Sequence, residues 1–219
     1  MEEIADLARR FSAIYTAALT DVLDRHGHLQ QTLPHELAPL APGTRLAGPV
    51  YPVLGRPHPG NAYDPSIRAI LAMLGAVPSG HVAVYQTNDR VSAHFGELSA
   101  TSLLAHGCAG AVIDGGTRDA DEIVERGFPV FARYVTPQDC VPRWELLAHG
   151  DVTIVVGGVR VAPGDWIVGD RDGLVIVPGD LVEDVLGEAE EKVATENEIR
   201  DAVLRGTLPL QAYERYGTF

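Results

Sequence analysis

The chain has 219 residues, 46% of them apolar and 21% charged, enough apolar side chain for a substantial core and too much for global disorder. Seventeen Lys and Arg against 30 Asp and Glu leave a net charge of −13, which argues against nucleic-acid or anionic-membrane partners, because both require a basic face. Aromatics at 6% make a stacking platform a poor expectation, and two cysteines, Cys108 and Cys140, cannot build a disulfide framework or a cysteine-rich zinc site.

Ile4, Leu7, Ala8, Phe11, Ile14, Tyr15 and Ala18 recur at three- and four-residue steps, predicting one amphipathic helix. Thr20 can cap a further short turn over Asp21–Asp24, which Gly27 stops. Residues 28–48 read as loop. A short strand is expected over Val50–Leu54, demoted to an edge or bulge by Pro52. Gly55–Pro65 reads as loop, and Ile67, Ile70, Leu71 and Leu74 as a helix closed by Gly75. Strand and helix then alternate: strand 81–85, helix 97–106, strand 109–113, helix 120–126 and strand 130–134. This βαβαβ order implies a parallel layer. Beyond residue 140, short strands at 152–156, 159–161, 166–168 and 174–177 are separated by tight-turn dipeptides, as in an antiparallel layer. A helix from about Leu181 to Leu204 follows. With no linker or composition break, residues 1–219 are expected to form one mixed α/β domain. No run approaches about 18 apolar residues, and Met1-Glu2-Glu3 has the wrong charge for a secretory signal, so a cytoplasmic location is expected.

The chemistry-bearing residues concentrate between Gly96 and Glu122. Gly96-Glu97-Leu98-Ser99 opens a helix, whose unpaired amides and positive dipole end can receive a carboxylate or phosphate. Asp114-Gly115-Gly116-Thr117-Arg118-Asp119 directly follows a buried strand, at the edge where ligands of open α/β sheets sit. There Arg118 offers a bidentate fork and Asp119 a hard oxygen for a cation. The alternative is a plain strand-to-helix turn, with Asp119 capping the next helix. The helix, turn and strand between Glu97 and Arg118 would return both to one sheet edge.

The stretch from Gly96-Glu97 to Arg118-Asp119 and Glu122 resembles the class II 4-hydroxy-4-methyl-2-oxoglutarate aldolase family, which includes the regulators of ribonuclease activity A. The likeness extends to Thr20–Asp24, Pro42–Pro49 and Gly169–Pro178, so it spans nearly the whole chain. It implies an RraA-like α/β/β sandwich, assembled as a homotrimer or homohexamer with active sites at subunit boundaries. It further implies Mg²⁺- or Mn²⁺-dependent retro-aldol cleavage of 2-oxo-4-hydroxy acids, and oxaloacetate decarboxylation. By the same resemblance Asp119 would hold the metal, and Arg118 would face the oxygen that becomes an enolate. Glu97 would hold the metal's waters, and the amides of Gly96, Glu97 and Leu98, beside Ser99, would take the substrate carboxylate. Relatives often carry Asp where this chain has Glu97, which alters metal and water spacing. The different-class alternative is a non-catalytic protein that inhibits a ribonuclease.

These residue types suit the chemistry. A cation chelated by a 2-oxo acid polarises its carbonyl and can supply a water of lowered pKa as base, while Arg118 stabilises developing negative charge. The one lysine, Lys192, sits among glutamates, so a Schiff-base mechanism is not expected. In the last helix the apolar stripe Val182, Val185, Leu186, Ala189, Val193 continues at Glu196, which either reaches a neighbouring subunit's active site or forms an interface salt bridge. His26 and His28 read as loop histidines and Cys108 as a small core residue. Asp170-Arg171-Asp172-Gly173 reads as a hairpin turn. His94 either lines the pocket or is structural.

Overall fold

In the computed structural model, which describes residues 2–219, the chain opens with α1 (Glu2–Ala13) and α2 (Thr16–Arg25). The two-residue strand β1 (Ala38–Pro39) leads to the long β2 (Leu46–Pro57) and to α3 (Tyr63–Ala76). Then follow β3 (Val82–Gln86), β4 (Ala93–Phe95), α4 (Glu97–Ala105), β5 (Gly110–Thr117), α5 (Ala120–Glu125) and β6 (Val130–Val135). The remainder comprises β7 (Trp144–His149), β8 (Ile154–Val156), β9 (Val159–Val161), β10 (Trp166–Gly169), β11 (Leu174–Val177), α6 (Val182–Leu204) and α7 (Pro209–Tyr216).

Strands β6, β5, β3 and β2 are successive parallel neighbours. β2 then pairs antiparallel with β10, and β10 with β11. The two expected layers are therefore one curled mixed sheet, joined through β2. Period-two alternation explains the curl. In β3, Ala83 and Tyr85 face a core shared with Met73 of α3 and Leu103 of α4, while Val82 and Val84 face a second core. In β10 and β11, Ile167, Leu174 and Ile176 enter that second core, whereas Trp166, Val168, Val175 and Val177 face Phe11, Leu19 and Leu186 of α1, α2 and α6. Each half of the sheet thus buries both faces, giving the order helix, parallel strands, antiparallel strands, helix. The fold is the mixed α/β class expected.

Several boundaries differ from expectation. The first helix is two: it breaks at Ile14–Tyr15 because the Thr16 N–H and hydroxyl bind Asp170, at 2.9 and 2.8 Å. Asp170 is buried in the β10–β11 turn, so that turn forms as expected and also starts α2. β2 is a central strand of twelve residues, not a short edge strand. Pro52 is tolerated because it lies where the antiparallel partner of β2 changes from β10, paired at 46–49, to β7, paired at 53–57. The expected loop at 55–65 is strand to Pro57 and helix from Tyr63, and Gly75 lies inside α3 rather than closing it. β5 runs on through Thr117, so Asp114–Thr117 are strand, not turn.

Candidate active site

Two strand-to-helix junctions lie side by side at the carboxyl ends of β4 and β5. β4 pairs parallel with the end of β5, through Ala93↔Gly116 and Phe95↔Thr117. The Phe95 carbonyl accepts the Arg118 N–H at 2.9 Å and the Thr117 hydroxyl at 3.0 Å. Gly96, at the mouth of α4, is thereby set against Arg118–Asp119, at the mouth of α5.

Asp119 adopts left-handed backbone (φ 55°, ψ 43°), a conformation that Asp tolerates better than most residues. Its side chain does not cap its own helix. Instead Oδ2 accepts the Glu97 N–H at 3.1 Å, so Asp119 crosses to the start of α4. Gly96 permits this crossing. A Cβ there would lie 2.7 Å from Asp119 Oδ2 and 3.3 Å from Arg118 Nε, so a side chain would displace both. The glycines at 115 and 116 serve packing rather than ligand approach. Their Cβ positions fall 2.6 Å from Thr87 Oγ1 and 2.5 Å from the Ser92 carbonyl.

Arg118 has 40% of its side chain exposed. Its Nε lies 3.6 Å from Asp119 Oδ2 and its NH1 3.7 Å from Asp139 Oδ2, both beyond hydrogen-bonding range, so the guanidinium keeps its donors for a ligand. The amides of Leu98 and Ser99 belong to the first turn of α4 and have no intrahelical acceptor. A positive fork and free amides therefore face a carboxylate that is 42% exposed.

Glu97 is turned elsewhere. Its Oε1 accepts the Thr101 hydroxyl at 2.7 Å and pairs with Arg126 at the end of α5. The longer Glu side chain makes that reach along the helix possible. Among the described residues no group of three His, Cys, Asp or Glu side chains gathers to hold a metal. Asp119 alone fits one ligand of a hard cation such as Mg²⁺, which commonly takes one or two protein carboxylates and completes its shell with water and substrate oxygens. Glu196 lies on α6, in the helical layer that packs on α2. Its Oε1 is 3.0 Å from Lys192 Nζ, which also meets Asp21 at 3.0 Å. It borders a surface cavity of about 400 Å³ with Ile199, Val203 and Phe219.

Around this junction stand His94, which the sequence marked as pocket-lining or structural, and residues that it did not mark. His94, on β4, has a fully buried side chain, packed edge-on against Trp144 at 5.1 Å and 3.2 Å from Asp89. Burial pushes its imidazole down to about 4 against the opposing pull of Asp89, so the ring is neutral. Burial acts to raise the Asp89 carboxyl, but hydrogen bonds from Ser92 and Val91 hold it below the usual range. Asp114, buried on β5, pairs with Arg90 at 2.9 Å and with Arg133. Asp89 and Asp139 are the ones that sequence reasoning missed, since nothing in their local sequence sets them apart from loop aspartates.

The sequence profile of the RraA-like family, described as Aldolase/RraA, matches residues 16–176. Over 208 residues the chain is 28% identical to a protein of Halalkalibacterium halodurans named "Putative 4-hydroxy-4-methyl-2-oxoglutarate aldolase", covering 95% of this chain and 93% of that one. Among solved structures, an uncharacterized protein from Pseudomonas syringae pv. tomato aligns with TM-score 0.84 and 31% identity, over 97% of this chain and 94% of its own. Streptomyces coelicolor RraAS2, described as an unusual member of the RNase ES inhibitor RraA protein family, aligns with TM-score 0.80 and 28% identity. It covers 90% of this chain and 98% of its own.

Proposed function

The chain belongs to the Aldolase/RraA family, and on that premise we propose that it is a divalent-metal-dependent lyase acting on small 2-oxo acids. Its reactions would be retro-aldol cleavage of 4-hydroxy-4-methyl-2-oxoglutarate-type substrates to pyruvate and decarboxylation of oxaloacetate. The observation that carries this reading is the Gly96 junction, where an Arg118 with unspent donors, the free first-turn amides of α4 and the exposed Asp119 carboxylate meet.

Asp119 would hold Mg²⁺ or Mn²⁺, which when bound supplies Lewis-acid polarisation of the 2-oxo group. The amides of Leu98 and Ser99, with the positive end of α4, receive the substrate carboxylate. In the retro-aldol cleavage the 4-hydroxyl gives its proton to a base as its C–O bond becomes a carbonyl; in the decarboxylation carbon dioxide leaves. In both, the C–C electron pair stays on the pyruvate fragment as an enolate that solvent protonates, and Arg118 would face the oxygen where the charge accumulates. Glu97 spends Oε1 on Thr101 and Arg126, which steadies the α4–α5 junction and leaves Oε2 for the metal's waters. Lys192 is engaged by Asp21 and Glu196, which supports a mechanism without a Schiff base.

The exposure of Arg118 and Asp119 suits a site completed by a second subunit, in a homotrimer or homohexamer, with Glu196 as a residue offered to a neighbour. Incubation with a panel of 2-oxo acids, with Mg²⁺ or Mn²⁺ and with EDTA, tests the reading through pyruvate release. Turnover only with metal is the expected result. The alternative, inhibition of a ribonuclease, is favoured by the likeness to RraAS2 and would be supported by tight ribonuclease binding with no pyruvate release under any metal.

A further inference from the structure

The loop between β6 and β7 is stitched to β4 by its backbone. The Ala93 N–H donates to the Gln138 carbonyl at 2.7 Å, the Cys140 N–H donates to the Ala93 carbonyl at 3.2 Å, and Ala93 and Asp139 form a parallel bridge. β4 is also the strand whose Phe95 carbonyl receives the Arg118 N–H. Asp139 and Arg118 therefore hang on one short frame.

Asp139 is itself held in place: Oδ1 accepts the Val141 N–H at 3.2 Å, leaving Oδ2 directed at Arg118 NH1, 3.7 Å away. From the other side Asp119 Oδ2 approaches Arg118 Nε at 3.6 Å. Two carboxylates flanking a guanidinium at ion-pair distance restrict a long, rotamer-rich side chain through charge alone. Neither consumes a donor, because neither distance is a hydrogen bond. A carboxylate engaged with a cation attracts a nearby guanidinium less, so once Asp119 serves the metal, Asp139 is the anion left to hold Arg118.

We infer that Asp139 is a positioning residue for Arg118, an inference that rests on the lyase reading above. It acts through the guanidinium and does not touch the reacting atoms. Its loss therefore costs turnover through misplaced positive charge in the transition state.

The test compares wild type with Asp139→Ala and Asp139→Glu in metal-dependent pyruvate release from oxaloacetate. Alongside it, calorimetric titration with oxalate in the presence of Mg²⁺ needs no turnover. Asp139→Ala is expected to lower kcat about tenfold while KM moves less than about threefold. It should also weaken oxalate about fivefold, since misplacing one charged donor costs of the order of 1 kcal/mol. Asp139→Glu should recover most of both losses, and the melting temperature should stay within about 2 °C of wild type. Unchanged kcat and oxalate affinity in Asp139→Ala would overturn the inference and leave the lyase reading standing. So would a loss matched by a fall in melting temperature, or a Glu variant no better than Ala. Wild type that binds oxalate in an Arg118- and Asp139-dependent manner but releases no pyruvate would retain the placement and sink the lyase reading. Wild type that does neither overturns both.

Discussion

A methyl group at position 96 would lie 2.7 Å from Asp119 Oδ2, closer than real side-chain carbons approach. Gly96→Ala should therefore push Asp119 and Arg118 out of place with little effect on the core, because the junction is only partly buried. Turnover should fall on the order of a hundredfold, with a small change in melting temperature, and a Gly96→Ala enzyme of near-native kcat would contradict this placement. His94 gives a prediction in pH. Its imidazole titrates near 6.5 when exposed but only at about 4 in the fold, so between those values the unfolded chain binds the extra proton. The stability contributed by neutral His94 is complete above about 6.5 and drains as pH falls toward 4. Asp89, held low, adds a loss in the same direction at still lower pH. His94→Gln should flatten the acid side of a urea-derived stability profile between pH 6.5 and 4, and an unaltered slope would refute the assignment. That Arg118 and Asp119 lie beside Glu97 was legible, because the helix, turn and strand between them return the chain to the edge where α4 starts. Asp139 was not, because its meaning comes from a backbone bridge to Ala93, a contact no local pattern announces.

Secondary structure was readable where period and punctuation agreed, as in α4, α5, β3 and the four strands β8 to β11. It failed where a distant contact overrode the local pattern. Apolar spacing runs unbroken through Ile14 and Tyr15, yet the helix breaks because Asp170, 154 residues away, takes the first amide of α2. Replacing Asp170 by Ala leaves the Thr16 N–H and hydroxyl and the Asp172 N–H without their acceptor. The cost should be about 2 kcal/mol in denaturant unfolding, and a change below about 0.5 kcal/mol would show that α2 starts without this cap. β2 was hidden for a different reason: its prolines resemble edge punctuation until the change of partner along the strand is known. β4, three residues long, has no detectable alternation, although it leads into Gly96 and anchors Arg118.

At the scale of the molecule, the curled sheet leaves the β4–β5 junction on the layer of α4 and α5, and Glu196 on the opposite helical layer. One chain therefore cannot be read as bringing Glu196 to Asp119, whereas neighbouring chains in a trimer or hexamer could. The net charge of −13 then has a local meaning. In the proposed lyase, an exposed Asp119 beside Arg118 gathers a cation and, with it, a substrate carrying two carboxylates. Metal-dependent cleavage at this junction is checked by coupled pyruvate release from oxaloacetate by wild type, Arg118→Ala and Asp119→Ala, each assayed with Mg²⁺, with EDTA and against a protein-free blank. Above the protein-free rate, wild type should turn over with Mg²⁺ and not with EDTA, and each variant should lose at least about a thousandfold. Pyruvate release above a protein-free blank that survives EDTA, or that persists in either variant, would contradict metal-dependent cleavage at this site.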